Sequence, residues 1–226
     1  MKTICLIRHA KTAGNLERRY IGRTDETLCD EGRAALEKMI KASAYPAGEI
    51  VFSSPMQRCV ETVKLIYPES ELHLINGLRE CDFGDFEGKT YAELCDNPAC
   101  QRFLDSRGNG VIPNGESTDC YKQRCLAAFA EVLRFMEAAD RKQAVIICHG
   151  GTIMSILENY YQEKKSFYEY QVENCGGYIG NFDEKKQFCC NGVGNGQRCP
   201  VRTRHVYGAY PGARRRSTRS GSRSMS

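Results

Sequence analysis

Of the four histidines in this chain, two sit where a short apolar run ends. The run "ICLI" empties directly into Arg8-His9, and "AVIIC" empties into His149-Gly150-Gly151. A third run, "EIVFSS", leads into "PMQR" and places Arg58 in the first turn of a helical pattern. In an open parallel sheet the carboxyl ends of the strands lie along one edge, where ligands bind. If the three runs are neighbouring strands, Arg8, His9, Arg58 and His149 meet in one crevice. Helix N-termini at Pro55 and Gly151 would add free backbone N–H groups and the positive ends of helix dipoles. Such a group suits a dianion, and phosphate above all, because the guanidinium fork matches its oxygens. Each piece alone has a plainer reading: a polar strand end, a solvated helix residue, a structural histidine. Their coincidence at three strand exits gives them weight. His73 lies inside a strand candidate and His205 in a basic C-terminal segment; neither takes a role.

The elements that must position these residues can be read from periodicity. Residues 3–8 form a buried strand, followed by a polar loop from His9 to about Cys29. Apolar spacing at Ala34, Ala35, Met39 and Ile40 predicts a helix over 30–43. Residues 49–54 give a second strand, and a helix starting at Pro55 runs to about Tyr67. "ELHLI" is a third strand. Residues 76–115 are loop-rich, with short helices near 90–95 and 98–105. A long helix over 117–139, capped by Ser117, would bury Cys125, Leu126, Phe129, Leu133 and Met136. Residues 144–148 form a strand and "GTIMSILENYY" a helix. "GYIGNF" and "KQFCC" make a final hairpin around Asp183-Glu184. Strands alternating with helices predict an α/β fold, a three-layer α/β/α sandwich with a mostly parallel central sheet.

Composition divides the 226 residues in two. From Gly194 to Ser226 there are eight arginines, no lysine and no acid. Without them the net charge of +4 becomes about four units negative for residues 1–193. Residues 194–226 read as a separate basic unit, a disordered extension or a non-native, out-of-frame segment, too poor in aliphatic residues to bury a core. Residues 1–193 read as one domain. The 13 cysteines are scattered, odd in number and without a C-x-x-C pair, which favours reduced structural thiols over a disulfide framework or zinc site. No apolar run reaches the roughly 20 residues of a membrane span, and the first residues show no signal-peptide pattern. A soluble cytoplasmic protein is expected, with no membrane partner; a homodimer is compatible with the sequence.

Taken in order, "LIRHAKTAGN", "YIGRTDETLCDEGR", "SSPMQRCVET", "LRECDFGDFEGKTYAEL", "PNGES" and "VIICHGGTI" resemble the signature segments of the histidine phosphatase superfamily, the phosphoglycerate-mutase-like fold. The resemblance covers about residues 3–160. It implies that His9 is the nucleophile that becomes a phosphohistidine. Arg8, Arg58 and His149 hold the phosphoryl oxygens. Glu80 is the proton donor to the leaving oxygen and later the base for water, a role that asks for a carboxyl kept protonated by burial or neighbouring acids such as Asp82 and Asp85. Thr12, Asn15, Ile21, Gly22 and Gly150 match positions lining the phosphate or the substrate entrance. No metal and no cofactor are implied. Two residues depart from the pattern. Ala10 stands where glycine is usual, and a slight narrowing of the pocket is expected. Cys29 stands where Thr or Ser often caps the next helix; the cap is expected to be lost, with Asp30 compensating.

The superfamily holds both hydrolases and mutases. Cofactor-dependent mutases resemble E-R-H-Y-G after the acid and carry paired arginines in a longer insertion. Here Phe83 replaces that tyrosine, no Arg-Arg pair follows, and the path from Glu80 to "PNGES" is short. The chain resembles the hydrolase branch, near α-ribazole phosphatase and fructose-2,6-bisphosphatase. The expected activity is metal-independent hydrolysis of a small phosphorylated metabolite. A phosphoglycerate mutase and a nucleic-acid-binding protein acting through the arginine-rich segment are the alternatives, nucleic acid being the less expected partner for want of a recognition motif.

Overall fold

The structure, a computed structural model, describes residues 1–106, 108–162, 165–183 and 187–190. Strands β1 (Lys2–Arg8), β2 (Ile50–Ser53), β3 (Leu72–Leu74), β4 (Gln143–Cys148), β5 (Gly177–Phe182) and β6 (Phe188–Cys190) form one sheet in the order β3-β2-β4-β1-β5-β6. The pairings β3·β2, β2·β4 and β4·β1 are parallel, and β1·β5 and β5·β6 antiparallel. The two strands of the expected hairpin are therefore paired at the sheet edge; residues 184–186, where its turn is expected, and the segment 194–226 lie outside the described residues.

Alternation along the strands sorts the core into two layers. On one face Ile4, Leu6, Phe52, Ala144 and Ile146 pack against α6 (Thr118–Ala138) and α7 (Gly150–Tyr160), through Ala128, Phe129, Val132, Ile153 and Ile156. On the other, Cys5, Ile7, Val51, Val145 and Ile147 meet Cys59 and Val63 of α3 (Gln57–Ile66). Leu36 of α2 (Asp30–Lys41) adds a flanking cluster with Leu28, Ala10 and Cys175. The arrangement is the expected three-layer sandwich.

Details differ from expectation for local reasons. Helix α3 begins at Gln57, two residues past Pro55, because Met56 is extended at ψ 140° and Asp25 Oδ1 accepts the Gln57 N–H at 2.7 Å. The polar loop after β1 contains a short helix, α1 (Ala13–Leu16), closed by a capping box in which Thr12 Oγ1 accepts from Asn15 N and Asn15 Oδ1 accepts from Thr12 N. Cys29 does cap α2, its Sγ accepting from Gly32 N at 3.4 Å. The buried face of α6 is Tyr121, Cys125, Ala128, Phe129, Val132 and Met136, with Leu126 and Leu133 only half-buried.

The loop-rich stretch carries α4 (Tyr91–Leu94) and α5 (Pro98–Asp105), which close a smaller core of Phe86, Leu94, Cys100, Phe103, Ile112, Tyr121 and Cys125. Its two motif loops are stitched together. Asp85 N donates to Pro113 O at 2.9 Å, and Glu116 N donates to Asp82 O at 2.9 Å. Gly84, at φ +46°, allows the close approach; a side chain there would strike Pro113 O. Among the described residues no helix is long and apolar enough to cross a membrane.

Candidate active site

Strands β2, β4 and β1 are consecutive neighbours, so their carboxyl ends open on one edge, as the sequence requires. His9 N donates to Cys148 O at 3.0 Å, and Ser54 N donates to Ile147 O at 3.0 Å, which levels the three strand exits. His9, Arg58 and His149 are almost wholly buried there, and the two imidazole rings meet edge to face at 5.2 Å.

The hydrogen bonds fix the proton on each ring. His9 Nδ1 lies 2.7 Å from Ala10 O; a carbonyl only accepts, so Nδ1 carries the proton and Nε2 keeps its lone pair. Arg58 Nε donates to His149 Nδ1 at 3.3 Å, so His149 is protonated on Nε2, which lies 2.9 Å from Ser54 Oγ. Burial, followed by the charge of Arg58, pushes both histidines well below their ordinary range; Arg8 adds to the effect on each. His9 is neutral at neutral pH.

Arg58 is anchored as well as buried. Its Nη1 donates to Thr24 O and its Nη2 to Gly22 O, both at 2.8 Å. Each terminal nitrogen keeps a second N–H. Arg8 Nη1 donates to Val172 O at 2.8 Å, while its buried Nε has no hydrogen-bond partner. Burial lowers the Arg8 pKa from its ordinary value, and the charges of Glu80 and Glu173 oppose that shift. Among the described residues, neither Arg8 nor Arg58 is in an ion pair with a carboxylate. Gly150 opens α7 beside them. A Cβ there would stand 3.4 Å from Arg8 Nε, and the first turn of α7 has no side-chain cap.

Glu80 faces the same edge. Its Oε1 accepts from the Tyr121 hydroxyl and from Cys81 N. The acids expected to crowd it are engaged elsewhere: Asp82 with Gly84 N and Arg23, Asp85 with Asn114. Tyr121 is buried, and burial together with the Glu80 charge pushes its pKa well above the ordinary value, so it stays a donor. A Cβ at Gly151 would lie 2.7 Å from Glu80 Oε1 and 2.6 Å from the Tyr121 oxygen, so any larger residue there would displace the Glu80–Tyr121 pair.

The remaining candidates support the rim. Thr12 and Asn15 close α1, and Asn174 Nδ2 donates to both His9 O and Asn15 Oδ1. Ile21 packs against Gly14, and Gly22 passes so close to Cys81 O that no side chain fits. Glu87 gathers this loop, accepting from the backbone N–H of Gly22, Arg23, Thr24 and Phe83. Ala10 is buried in a cluster with Leu28, Leu36 and Cys175. Tyr121, Gly151, Asn174 and Glu87 did not stand out from the sequence as site residues. Among the described residues no group of three or more His, Cys, Asp or Glu side chains could hold a metal ion.

Comparison with known proteins agrees with this geometry. A model of the histidine phosphatase superfamily (branch 1) matches residues 4–191. The chain is 31% identical over 162 residues to phosphoglycerate mutase-like protein 4 of Arabidopsis thaliana, covering 69% of each chain. It is 26% identical over 202 residues to a broad-specificity phosphatase of Saccharomyces cerevisiae, covering 85% of each. Among solved structures it is similar to a phosphoserine phosphatase from Entamoeba histolytica in complex with 3-phosphoglyceric acid, with a TM-score of 0.69 and 26% identity, covering 87% of this chain and 98% of that one. With a match that spans nearly the whole described chain, the protein belongs to the histidine phosphatase superfamily, branch 1.

Proposed function

We propose that the protein is a phosphomonoesterase that acts on a small phosphorylated metabolite through a phosphohistidine at His9, without a metal. One observation carries the reading. Two guanidinium groups, Arg8 and Arg58, are held at the strand exits in no ion pair with a carboxylate among the described residues, beside a neutral imidazole whose Nε2 lone pair is free of the Ala10 bond. Buried charge is normally paired; here the counter-ion is left to come from solution. Arg8 Nε, the spare N–H groups of Arg58 and the first turn of α7 are the donors for a phosphoryl dianion. A phosphoryl oxygen would compete with Ser54 for the His149 proton.

In this reading His9 Nε2 attacks phosphorus in line, and the bond to the leaving oxygen breaks as the Glu80 carboxyl gives that oxygen its proton. The Glu80 carboxylate then takes a proton from water as the water oxygen attacks the phosphohistidine, releasing phosphate and restoring His9. Phe83 supports hydrolysis over mutase chemistry. It packs edge to face on Tyr20 at 5.3 Å and brings no hydroxyl to the site.

The test is rapid quench with labelled substrate in EDTA, on wild type and His9→Ala. The wild type should yield an acid-labile, base-stable phosphoenzyme and turn over; His9→Ala should do neither while keeping its circular dichroism spectrum. Turnover that survives in His9→Ala, or that requires added metal, overturns the proposal.

A further inference from the structure

Two opposite charges near the crevice lack direct partners. Among the described residues, Arg58 is a buried guanidinium in no ion pair with a carboxylate, and Glu87 is a half-buried carboxylate in no ion pair with a cation. Residues 22–24 stand between them. On one side Arg58 Nη2 donates to Gly22 O and Arg58 Nη1 to Thr24 O, both at 2.8 Å. On the other, Glu87 Oε1 accepts from Gly22 N at 3.1 Å and from Arg23 N at 2.9 Å. Glu87 Oε2 accepts from the Thr24 hydroxyl at 2.7 Å and from Thr24 N at 3.4 Å.

Gly22 O and Arg23 N belong to one peptide group, which is a rigid plane. Glu87 holds its N–H edge and Arg58 its C=O edge. Fixing the N–H therefore fixes the direction of the carbonyl, and the carboxylate polarises that carbonyl into a stronger acceptor. Thr24 repeats the arrangement: its carbonyl receives Arg58 while its own hydroxyl and N–H are tied to Glu87. Residues 22–24 belong to no helix or strand, so no ladder sets where the two carbonyls stand. Gly22 allows the close seating, since a Cβ there would lie 2.6 Å from Glu87 Oε1.

Resting on the phosphomonoesterase reading, we propose that Glu87 is a positioning residue for phosphoryl binding, aiming the Arg58 guanidinium through the Gly22–Arg23 peptide and Thr24. The two carbonyls take one N–H from each terminal nitrogen of Arg58 and leave the second for phosphoryl oxygens. A guanidinium already fixed in direction loses little freedom when the anion arrives. Charge and aim pull in opposite directions here. Removing a negative charge by itself favours an anion, so weaker phosphate binding in a Glu87 variant reports lost aim.

Calorimetric titration with inorganic phosphate tests this. The Kd should rise about tenfold in Glu87→Ala and about threefold in Glu87→Gln, which keeps one acceptor oxygen. It should stay within about twofold of wild type in Glu131→Gln, an exposed carboxylate of α6 outside the site. The loss of kcat/KM should be equal for p-nitrophenyl phosphate and an alkyl phosphate, because both present the same phosphoryl group to Arg58. A Kd that falls or stays within about twofold of wild type in Glu87→Ala overturns the proposal; if that variant does not fold, Glu87→Gln decides by the same criterion. A loss confined to the alkyl phosphate also overturns it, by placing Glu87 behind Glu80. So does an equal rise in Glu131→Gln, or a wild type that binds no phosphate. Absence of p-nitrophenyl phosphate hydrolysis by the wild type counts against the phosphatase reading, while the phosphate Kd ratios still decide the role of Glu87.

Discussion

The Tyr121 hydroxyl donates to Glu80 Oε1, and the Tyr121 oxygen itself lies 3.1 Å from Thr152 Oγ1 on α7. One phenol therefore links the long helix α6, the first turns of α7 and the proposed general acid. The pair is held from above by Gly151, the position where a methyl group would displace both.

Tyr121→Phe keeps the ring in its small core and removes only that hydroxyl. Glu80 Oε1 retains the Cys81 N–H, so the carboxyl stays but its aim loosens. We expect kcat for alkyl phosphates to fall about tenfold, with KM moving less, in line with the loss of one hydrogen bond to a charged group. Because Tyr121 acts through Glu80, Tyr121→Phe should cost little more in a Glu80→Gln background. Fully additive losses in that double-mutant cycle would place Tyr121 in a separate role.

Glu80→Gln preserves shape and leaves an acceptor for Tyr121. It removes the transferable proton. Phosphate esters of alcohols should lose about 10²-fold or more in kcat, the usual size of a general-acid contribution. p-Nitrophenyl phosphate should lose far less, because its phenolate leaves with little need of a proton. Parallel losses for both substrates would remove Glu80 from the acid role.

Stability should depend on pH through the two buried histidines. Both have folded-state pKa values well below the ordinary 6.5. Between those values and about 6.5 the unfolded chain binds more protons than the folded one, so stability falls as pH drops through this window. The slope is at most about 1.4 kcal/mol per pH unit for each histidine. Urea unfolding at several pH values from 7.5 to 5.5 should show this decline in the wild type and a shallower one in His9→Ala. A flat profile, or identical slopes in the two proteins, contradicts the assignment of buried neutral imidazoles.

The strand exits were legible because strand burial leaves a strong apolar pattern, and a histidine or arginine at its end breaks that pattern sharply. His9, Arg58 and His149 were found that way and do come together. Tyr121 was not, because a tyrosine on the inner face of an amphipathic helix reads as core. The direction of its hydroxyl is set by Glu80, 41 residues away. Glu87 read as one more loop acid, although five donors converge on its carboxylate. The crowding at Gly151 comes from side chains of two other segments, which nothing local announces. The start of α3 departs from the sequence pattern for the same reason: Asp25, from a distant loop, takes the Gln57 N–H.

Arg58→Lys, conservative in charge, should be among the most damaging substitutions in the chain. One planar guanidinium satisfies Gly22 O, Thr24 O and His149 Nδ1 in three directions. A lysine ammonium is a point of donors at the end of a stem and cannot span all three. At least one buried acceptor is then left without a partner, at a cost of about 1–3 kcal/mol. The loop through Gly22 and Thr24 would still be pinned to Glu87, so the fold should persist with a lower melting temperature. What the loop loses is its tie to the strand exits, and the phosphoryl group loses a planar pair of donors. We expect kcat/KM to fall about 10²-fold or more, and trypsin to cut faster after the exposed Arg23. A lysine variant that melts with the wild type, resists trypsin equally and keeps more than a tenth of the activity would show that Arg58 supplies charge alone.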